Sequence, residues 1–322
     1  MTLLKGGVWL QHSRIDNVRY AISDFLQGLV SIKGFNKART VVGMEPTGIY
    51  DRHLIQELDR IGMAYIIAGS AQIKSLLGNI RGKTDKLDSA RIANFLFLTK
   101  DSLIPVQTRR NIIEELASLS TLRARLLAIQ KTLRIPIKED SQFILDYIAE
   151  QNRSFCARTV NVVADDLAIV EATIKKLWRS DERLNRLMTL ILSVTSVGEI
   201  TALQILITSN EFQTIRTAKQ FACYSGIAPF PFQSGSSIRK RTRVSPIANR
   251  KMKALLHSCA VSAKKHVPEL RAYYLRKTEV EGKHKMSVLN AIRCKLVSRV
   301  FTCVSQDRLY IRESSTPGEA KN

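Results

Sequence analysis

The chain has 322 residues, 45% of them hydrophobic, which is enough to bury the cores of two or more domains. It carries 50 Lys and Arg residues against 28 Asp and Glu residues, a formal net charge of +22. This composition excludes disorder of the whole chain. The charge favours a polyanionic partner, most often nucleic acid, because phosphate binding releases condensed counterions.

Cysteine spacing and hydropathy predict the compartment. The five cysteines are scattered and form no CxxC pair, so the sequence predicts neither a zinc site nor a disulfide framework. We expect reduced thiols in a cytoplasmic protein. The first residues hold too short an apolar run for a secretory signal. The most apolar window, residues 187–207, contains Glu199 and several Ser and Thr residues, so no membrane span is expected.

Residues 1–105 alternate short apolar runs with helical periodicity. The segments GVWLQ, RTVVGMEP and AYIIAGS predict strands, and DRHLIQELDRIG and KLDSARIANFLFL predict amphipathic helices. This alternation predicts an α/β domain.

Three carboxylates of this domain are candidate metal ligands. Glu45 ends the apolar run TVVGM, and a carboxylate at the end of a buried strand needs a hydrogen bond, a counter-charge or a metal. Asp85 and Asp88 fall on one face of a predicted helix. A divalent cation such as Mg²⁺ would relieve the repulsion among three such groups. By spacing alone, the Asp pair also fits a helix cap or surface ion pairs.

Beyond Pro105, apolar residues recur at heptad spacing in two runs. The first run comprises Ile112, Leu119, Leu126 and Leu133, with Leu122 and Ile129 beside them. The second comprises Val163, Val170, Leu177, Leu184 and Ile191, flanked by Val160, Leu167, Ile174 and Met188. We predict two long helices separated by residues 134–143. A pair packed within one chain and a coiled coil between subunits are both compatible with this pattern.

The remaining residues are predicted to be mainly helical. The segment SVTSVGEITALQIL, residues 193–206, is typical of a helix-hairpin-helix, whose turn amides contact a phosphate without reading sequence. Ser196 stands where Gly is more usual. A tight turn between core helices is the alternative interpretation.

A loop rich in Gly, Ser and Arg interrupts these helices between Gly226 and Arg243. No acid separates its basic residues and those that follow, which are Arg239, Lys240, Arg241, Arg243, Arg250, Lys251 and Lys253. This stretch predicts a phosphate-contacting surface. Ser234 lies in the loop, but a serine hydroxyl needs a base or a metal to act as a nucleophile, and the loop supplies no base.

Together these stretches resemble the DEDD insertion-sequence transposases, the family that includes the Piv invertase and the bridge-RNA-guided recombinases. The resemblance is carried by GMEPTGIY (43–50), RGKTDKLDSARIA (81–93), SVTSVGEITA (193–202), FACYSGIAPFPFQSGSSIR (221–239), PELRAYYLRK (268–277) and NAIRCKL (290–296). It implies a RuvC-like domain of the ribonuclease H fold over 1–105, coiled-coil helices over 106–186 and a transposase domain over 187–322.

The resemblance also implies roles for individual residues. Glu45, Asp85 and Asp88 match the second, third and fourth members of the family's acidic tetrad, which would hold Mg²⁺ or Mn²⁺. Ser234 matches the serine that becomes joined to DNA, with Ser236 and Ser237 as alternatives. The expected nucleic-acid contacts are Lys83, Lys86, Arg239, Lys240, Arg241, Arg243, Arg250 and Lys251. The implied partners are DNA, a structured guide RNA, and further copies of the chain in a dimer or tetramer.

Two departures from the family pattern are visible. The family begins with a strand that carries the first acidic residue, whereas MTLLKGGVWL resembles the family's second strand, so we expect the first strand and its aspartate to be missing. Pro246 and Ala248 replace the more usual Lys and Gly. Three functions follow: a DNA recombinase that uses metal and Ser234, a RuvC-like nuclease that uses water, and a truncated, inactive nucleic-acid-binding remnant.

Overall fold

A computed structural model describes residues 1–78, 82, 84–234, 238–246 and 248–311, with the backbone alone for residues 136, 138, 140–142, 232–234 and 238–241. The chain divides into two compact units, Met1–Thr108 and Arg109–Asn322. The division into three domains predicted above remains a prediction. No helix in the described part of the chain is long and apolar enough to cross a membrane.

The first unit contains two small sheets. Strands β1 (Thr2–Lys5) and β2 (Val8–His12) form an antiparallel hairpin, whose two turn residues, Gly6 and Gly7, have φ angles of 57° and 86°. Such positive angles are the ones a two-residue hairpin turn requires. Strands β3 (Val41–Met44) and β4 (Ala64–Ile67) pair in parallel. The three predicted strand segments are therefore confirmed.

The helices in the described part of this unit are α1 (Arg19–Gly28), α2 (Arg52–Ile61), α3 (Ser70–Leu77) and α4 (Asp85–Thr99). Short 3₁₀ turns lie at Leu29–Ser31, Lys37–Arg39, Gly48–Asp51 and Lys100–Ser102. Both predicted amphipathic helices are present, as α2 and α4. Helix α2 ends at Gly62, whose φ of 62° gives a left-handed cap. Leu58, Met44 and Tyr65 belong to one buried cluster, which joins α2 to the β3–β4 sheet.

The second unit begins with two long helices, α5 (Asn111–Phe143) and α6 (Asp146–Ser180), which pack along each other as a hairpin. The predicted separation at residues 134–143 is wrong, because α5 continues through Pro136 and ends at Phe143. One proline costs about 3 kcal/mol in a helix interior. Leu133 and Ile137, on either side of it, are half-buried.

The residues of the predicted heptad runs differ in their burial. Val160, Val163, Val170 and Ile174 are buried within the chain. Leu122 and Ile129 are exposed. The second run does not form one helix: α6 ends at Ser180, and Asp181 begins α7 by accepting a hydrogen bond from the Leu184 amide at 2.9 Å. A helix pair packed within the chain is therefore present, and the coiled coil between subunits remains a prediction.

The rest of the second unit is mainly helical, as predicted. Its helices are α7 (Glu182–Leu192), α8 (Glu199–Ser209), α9 (Ala218–Tyr224), α10 (Arg250–His266), α11 (Pro268–Leu275) and α12 (Lys285–Ser305), with a π-helical turn at Arg276–Val280. Strands β5 (Pro229–Ser234) and β6 (Ile238–Val244) form an antiparallel hairpin between α9 and α10. Phe221, Leu206, Met252 and Ile292 lie in one continuous core.

A cluster of charged groups lies in the second unit where α5 begins. Arg110 donates to both carboxylate oxygens of Asp181, at 2.7 and 3.0 Å, and to the fully buried carboxylate of Glu211. Asp181 stands between α6 and α7, and Glu211 follows α8. One guanidinium therefore ties together three segments that are distant in sequence.

Candidate functional site

Two of the predicted acidic residues face one cleft in the first unit. Glu45 follows β3, and Asp88 lies in the first turn of α4. The cleft has a volume of about 250 Å³ and is lined by Glu45, Ser70, Ile73, Lys74, Gly78, Asp88 and Arg91. Glu45 and Asp88 thus share one polar concavity, although 43 positions separate them in the chain.

Close packing of α4 on β3 brings these two residues to the same cleft. A Cβ atom at Gly43 would lie 2.4 Å from Cδ1 of Leu96 and 2.8 Å from Cγ2 of Ile92. Only glycine leaves room for the helix to approach the strand so closely. The start of α4 is fixed by Thr84, whose hydroxyl accepts a hydrogen bond from the Leu87 amide at 3.2 Å.

Each carboxylate in the cleft already has a hydrogen-bond donor. The hydroxyl of Ser70 donates to Glu45 Oε2 at 3.2 Å. Asp88 accepts from Arg91 at 2.7 Å, and Arg91 also donates to the carbonyl of Gly82 at 3.0 Å. The cleft therefore combines hard oxygen donors with two cationic side chains, because Lys74 lines it as well. Sequence reasoning missed Ser70 and Lys74, since no motif marks either residue.

Asp85 does not line this cleft. It is the exposed first residue of α4, in the same turn as Asp88. Among the residues that the structure describes, no three His, Cys, Asp or Glu side chains are grouped so that they could hold a metal ion. The donors present at the cleft are two carboxylates and a hydroxyl. This chemistry suits Mg²⁺, which commonly takes one or two carboxylates and completes its shell with water and phosphate oxygens.

The predicted basic contacts are distributed over both units. Lys83 lies outside the described residues, while Lys86 is exposed in the first turn of α4. Arg243 is exposed on β6 opposite Phe230, and Arg250 is exposed at the start of α10. The side chains of Arg239, Lys240 and Arg241 lie outside the described part of the structure.

Lys251 has a partner that the sequence did not predict. Its ammonium group donates to the hydroxyl of Ser120 on α5 at 3.4 Å. Burial, together with the positive charge of Arg123, lowers the pKa of Lys251. An anion placed between these two cations would relieve that repulsion, which is compatible with the predicted phosphate contact.

Ser234 is the last residue of β5, and its backbone pairs with Ile238 of β6. Its side chain, like the alternatives Ser236 and Ser237, lies outside the described residues. The assignment of the nucleophile therefore remains a prediction. The strand pairing nevertheless places the backbone of this serine at the end of the β5–β6 hairpin that is distant from α9 and α10.

The base of that hairpin is held by close contacts. Gly226 has a φ of 64°, and a Cβ atom there would stand 2.1 Å from Cβ of Ala248. The amide of Asn249 donates to the carbonyl of Tyr224 at 3.0 Å. On the other side, the Asn290 side chain donates to the carbonyl of Ile227 at 2.7 Å. The two ends of the hairpin therefore meet on the body of the unit.

Asn290 is in turn held by a buried arginine. Arg293 is only 5% exposed and donates to Oδ1 of Asn290 at 3.3 Å and to Nδ1 of His257 at 2.5 Å. Because an arginine side chain can only donate hydrogen bonds, Nδ1 of His257 must accept this one and therefore carries no proton. Burial and then the Arg293 charge lower the pKa of His257, in agreement with this assignment. Only the motif NAIRCKL could have drawn attention to Asn290 and Arg293.

The predicted helix-hairpin-helix segment forms two helices joined by a tight turn. Residues 193–198 connect α7 to α8, and Val194 and Val197 are buried beneath the turn. Ser196 has a φ of 76°, a left-handed conformation that glycine adopts more readily. The geometry explains why Gly is more usual here. This turn geometry is compatible both with phosphate binding and with a purely structural turn between core helices.

Comparison with known families covers both units. Residues 5–136 match the DEDD transposase model of the IS110 type, described as a transposase, and residues 188–275 match the model described as the IS116/IS110/IS902 transposase family. The chain is also similar to the pilin gene-inverting proteins of Moraxella bovis and Moraxella lacunata. Each is 23% identical over 280 residues, which are 86% of this chain and 83% of the relative.

Proposed function

Since this chain belongs to the IS110-type DEDD family of insertion-sequence transposases, we propose that it is a site-specific DNA recombinase that cuts DNA and rejoins it. The observation that carries the proposal is the shared cleft of Glu45 and Asp88, which lies in a segment matched by the family's DEDD model. The pilin gene-inverting relatives support the same class of reaction, DNA inversion being a form of recombination.

We further propose the finer architecture that the family implies. Residues 1–105 would form a RuvC-like domain of the ribonuclease H fold, residues 106–186 a coiled-coil segment, and residues 187–322 the transposase domain. The parallel β3–β4 pair covered by α4 supports the first assignment, and the long α5–α6 hairpin supports the second.

The metal ligands of this proposal are Glu45 and Asp88, with Asp85 as a third. The paired carboxylates fit Mg²⁺ or Mn²⁺ in their chemistry, because both ions prefer oxygen donors. When bound, such an ion would polarise a phosphodiester and stabilise its leaving oxygen. Ser70 would orient Glu45 through its hydrogen bond, and Arg91 would hold Asp88 toward the cleft.

The proposed nucleophile is Ser234. Its Oγ would lose its proton to solvent and bond to phosphorus while the bond from phosphorus to a deoxyribose oxygen breaks. That oxygen would take up a proton and become a free DNA hydroxyl, leaving a serine–DNA ester that a DNA hydroxyl can later attack to release the serine. The basic residues predicted around this serine would balance the charge that develops on the phosphoryl oxygens. Arg243 and Arg250, which are exposed, and Lys251 would contact the DNA backbone nearby.

Three further properties are proposed. The chain would act in the cytoplasm, would take a structured guide RNA as a second nucleic-acid partner, and would assemble as a dimer or tetramer. The net charge of +22 supports binding to either nucleic acid but does not distinguish them.

The test is capture of a covalent protein–DNA adduct in the presence of Mg²⁺. Wild-type protein should form the adduct, and Ser234→Ala should reduce it by at least a hundredfold, with Ser236→Ala and Ser237→Ala as matched controls. Glu45→Gln and Asp88→Asn should reduce it similarly while leaving DNA affinity within a few-fold. An adduct that persists in Ser234→Ala would contradict the serine assignment.

The carboxylate cleft also favours a second candidate, a RuvC-like nuclease that activates water. It predicts hydrolytic cleavage that survives Ser234→Ala and is abolished by Asp88→Asn. Salt-sensitive DNA binding without adduct or cleavage, at any concentration of divalent metal, would instead identify a nucleic-acid-binding remnant.

A further inference from the structure

One face of the α5–α6 hairpin carries large apolar side chains that are exposed in the described part of the chain. On α6, Phe155, Val162 and Ile169 are 72%, 51% and 64% exposed, and we refer to these three residues as the apolar stripe. On α5, Leu122 and Ile129 are 41% and 47% exposed. Exposed apolar groups that recur in this way usually mark a contact surface.

The apolar stripe is distinct from the face of α6 that packs on α5. Seven residues separate its members, so each points within about 20° of the last, and the stripe extends for about 21 Å. The buried residues Val163 and Val170 point about 80° to 100° away from Val162. The stripe is therefore a second seam of heptad spacing, of the kind that packs helices together.

The exposed apolar residues of α5 lie on the same side of the hairpin as the stripe. The ion pair between Arg123 and Glu171, 2.7 Å long, marks one side of the hairpin. Leu126 of α5 packs against the core cluster that includes Val170 of α6. At about 100° per residue, Leu122 and Ile129 fall on one side of Leu126 and Arg123 falls on the other. The stripe likewise falls on the other side of α6 from Glu171. The five side chains thus lie on one side of the hairpin, where the exposed Asp166 also lies.

Charged groups of opposite sign flank the stripe on its rim away from α5. Arg158 and Asp165 point about 40° and 60° from Val162, toward the same edge. Both are exposed, and within the described residues neither takes part in an ion pair. The rim therefore offers one free cation and one free anion, on opposite sides of Val162 along the helix.

This arrangement is self-complementary. Phe155 stands seven residues before Val162, and Ile169 stands seven after it. If two α6 helices pack antiparallel with a two-fold axis at Val162, Phe155 meets the partner's Ile169, and Arg158 meets the partner's Asp165. Each contact then occurs twice, as a two-fold symmetric interface requires.

We propose that a second copy of this chain covers this face, with its α6 antiparallel to α6 of the first copy about an axis at Val162. This proposal rests on the homo-oligomer proposed above and identifies one of its interfaces. It does not depend on the chemistry of DNA cleavage. A standard interface buries about 800 Å² on each partner. The stripe alone is smaller than this, and the addition of Leu122 and Ile129 from both copies brings ten large apolar side chains into the contact.

Cysteine crosslinking of the full-length protein tests the position of the axis. Val162→Cys should give a covalent dimer with a short bis-maleimide, because the two introduced thiols face each other. Ala168→Cys is the matched control: it is exposed on the same helix but points about 120° away from the stripe. The native cysteines are present in both variants, so the measured quantity is the yield of crosslinked dimer from Val162→Cys relative to the yield from Ala168→Cys.

A charge exchange tests the register. Arg158→Asp should weaken dimerisation at least tenfold in sedimentation equilibrium, since two pairs of like charges would then face each other. The double variant Arg158→Asp/Asp165→Arg should return to within threefold of wild type. Circular dichroism checks that the helices remain folded, and if one charge variant unfolds, the crosslinking comparison decides.

The outcomes separate this surface from the assembly itself. A dimer that is unaffected by Arg158→Asp, or a Val162→Cys protein that crosslinks no better than Ala168→Cys, would overturn the proposed face while leaving the homo-oligomer in place. A wild-type protein that stays monomeric at all accessible concentrations would overturn both. None of these measurements depends on DNA cleavage, so failure of the proposed recombinase activity is read separately.

Discussion

Gly43 of β3 lies directly against Leu96 of α4: a Cβ atom at residue 43 would stand 2.4 Å from Cδ1 of Leu96. This contact sets the distance between the strand that leads into Glu45 and the helix that carries Asp88. We expect Gly43→Ala to destabilise the first unit by about 1–3 kcal/mol, the range for overpacking a core. Urea unfolding of the full chain measures this change.

Gly28→Ala is the matched control for that substitution. Gly28 ends α1 with a φ of −62°, and nothing lies within 4 Å of its Cβ position. Alanine favours a helix by about 0.5–1 kcal/mol over glycine, so this variant should be neutral or more stable. Equal destabilisation by both variants would contradict the steric argument at Gly43.

Ser196 adopts a left-handed backbone conformation in the turn between α7 and α8, with a φ of 76°. Glycine reaches this conformation with less strain than serine. Ser196→Gly should therefore stabilise the second unit by about 0.5–1 kcal/mol, because the strain of a non-glycine residue there exceeds the entropy lost by glycine. Ser196→Val should destabilise it, since a β-branched side chain fits this region worst. Thermal unfolding of the three proteins gives the order, and a less stable glycine variant would count against the argument.

The base of the β5–β6 hairpin contains a steric pair that a double-mutant cycle can measure. Gly226→Ala should destabilise the protein by more than 2 kcal/mol, because it adds both a clash with Ala248 and strain at a φ of 64°. Adding Ala248→Gly removes the clash but not the strain. We expect partial recovery, with a coupling free energy of about 1 kcal/mol or more. Strictly additive effects would show that the two positions do not touch.

Acid should weaken the second unit through Asp181. Hydrogen bonds from Arg110 lower the pKa of Asp181 below its ordinary value of 3.8. A carboxylate whose pKa is lower in the folded than in the unfolded state adds stability above its unfolded pKa, and this stability is lost as the pH falls through the folded pKa. Asp181→Asn should therefore be less stable than wild type at pH 7.

The same comparison in acid makes the prediction specific. Asparagine can still cap α7, so the difference between the two proteins should come mainly from the ion pair. That difference in unfolding free energy should shrink toward zero as the pH falls through the folded-state pKa of Asp181, which lies below its ordinary value, because wild-type Asp181 then becomes protonated. A difference that stays constant from pH 7 into acid would show that the ion pair contributes nothing.

Local pattern was sufficient to predict the elements of the first unit around the cleft. The apolar run before Glu45 and the helical period after Lys86 are short-range signals, and β3 and α4 follow them. The failure of Asp85 to line the cleft could not be predicted, because it depends on how α4 is rotated against β3 through Leu96 and Ile92. Spacing placed Asp85 and Asp88 in one turn but did not say which of them faces Glu45.

In the second unit, the ends of the long helices and the burial of Arg293 depend on contacts between residues that are distant in sequence. The pattern predicted a separation at residues 134–143, whereas the breaks lie at Ile144–Leu145 and at Asp181, which accepts hydrogen bonds from Arg110. The buried position of Arg293 was also beyond sequence reasoning, since a basic residue in a basic chain is expected at the surface. Its partner His257 lies on a different helix.

The guanidinium of Arg110 joins the start of α5 to Asp181, which follows the end of α6, so an ion pair anchors one end of the long hairpin. Helix α5 spans 33 residues, or about 50 Å, between this anchor and the tip at Ile144. A rotation of about 6° at the anchor would carry the tip about 5 Å, roughly one helical turn. Ile113, Leu116 and Trp178 are buried in the core at this same end, so a small change in the packing here would move the far end of the hairpin by several ångströms.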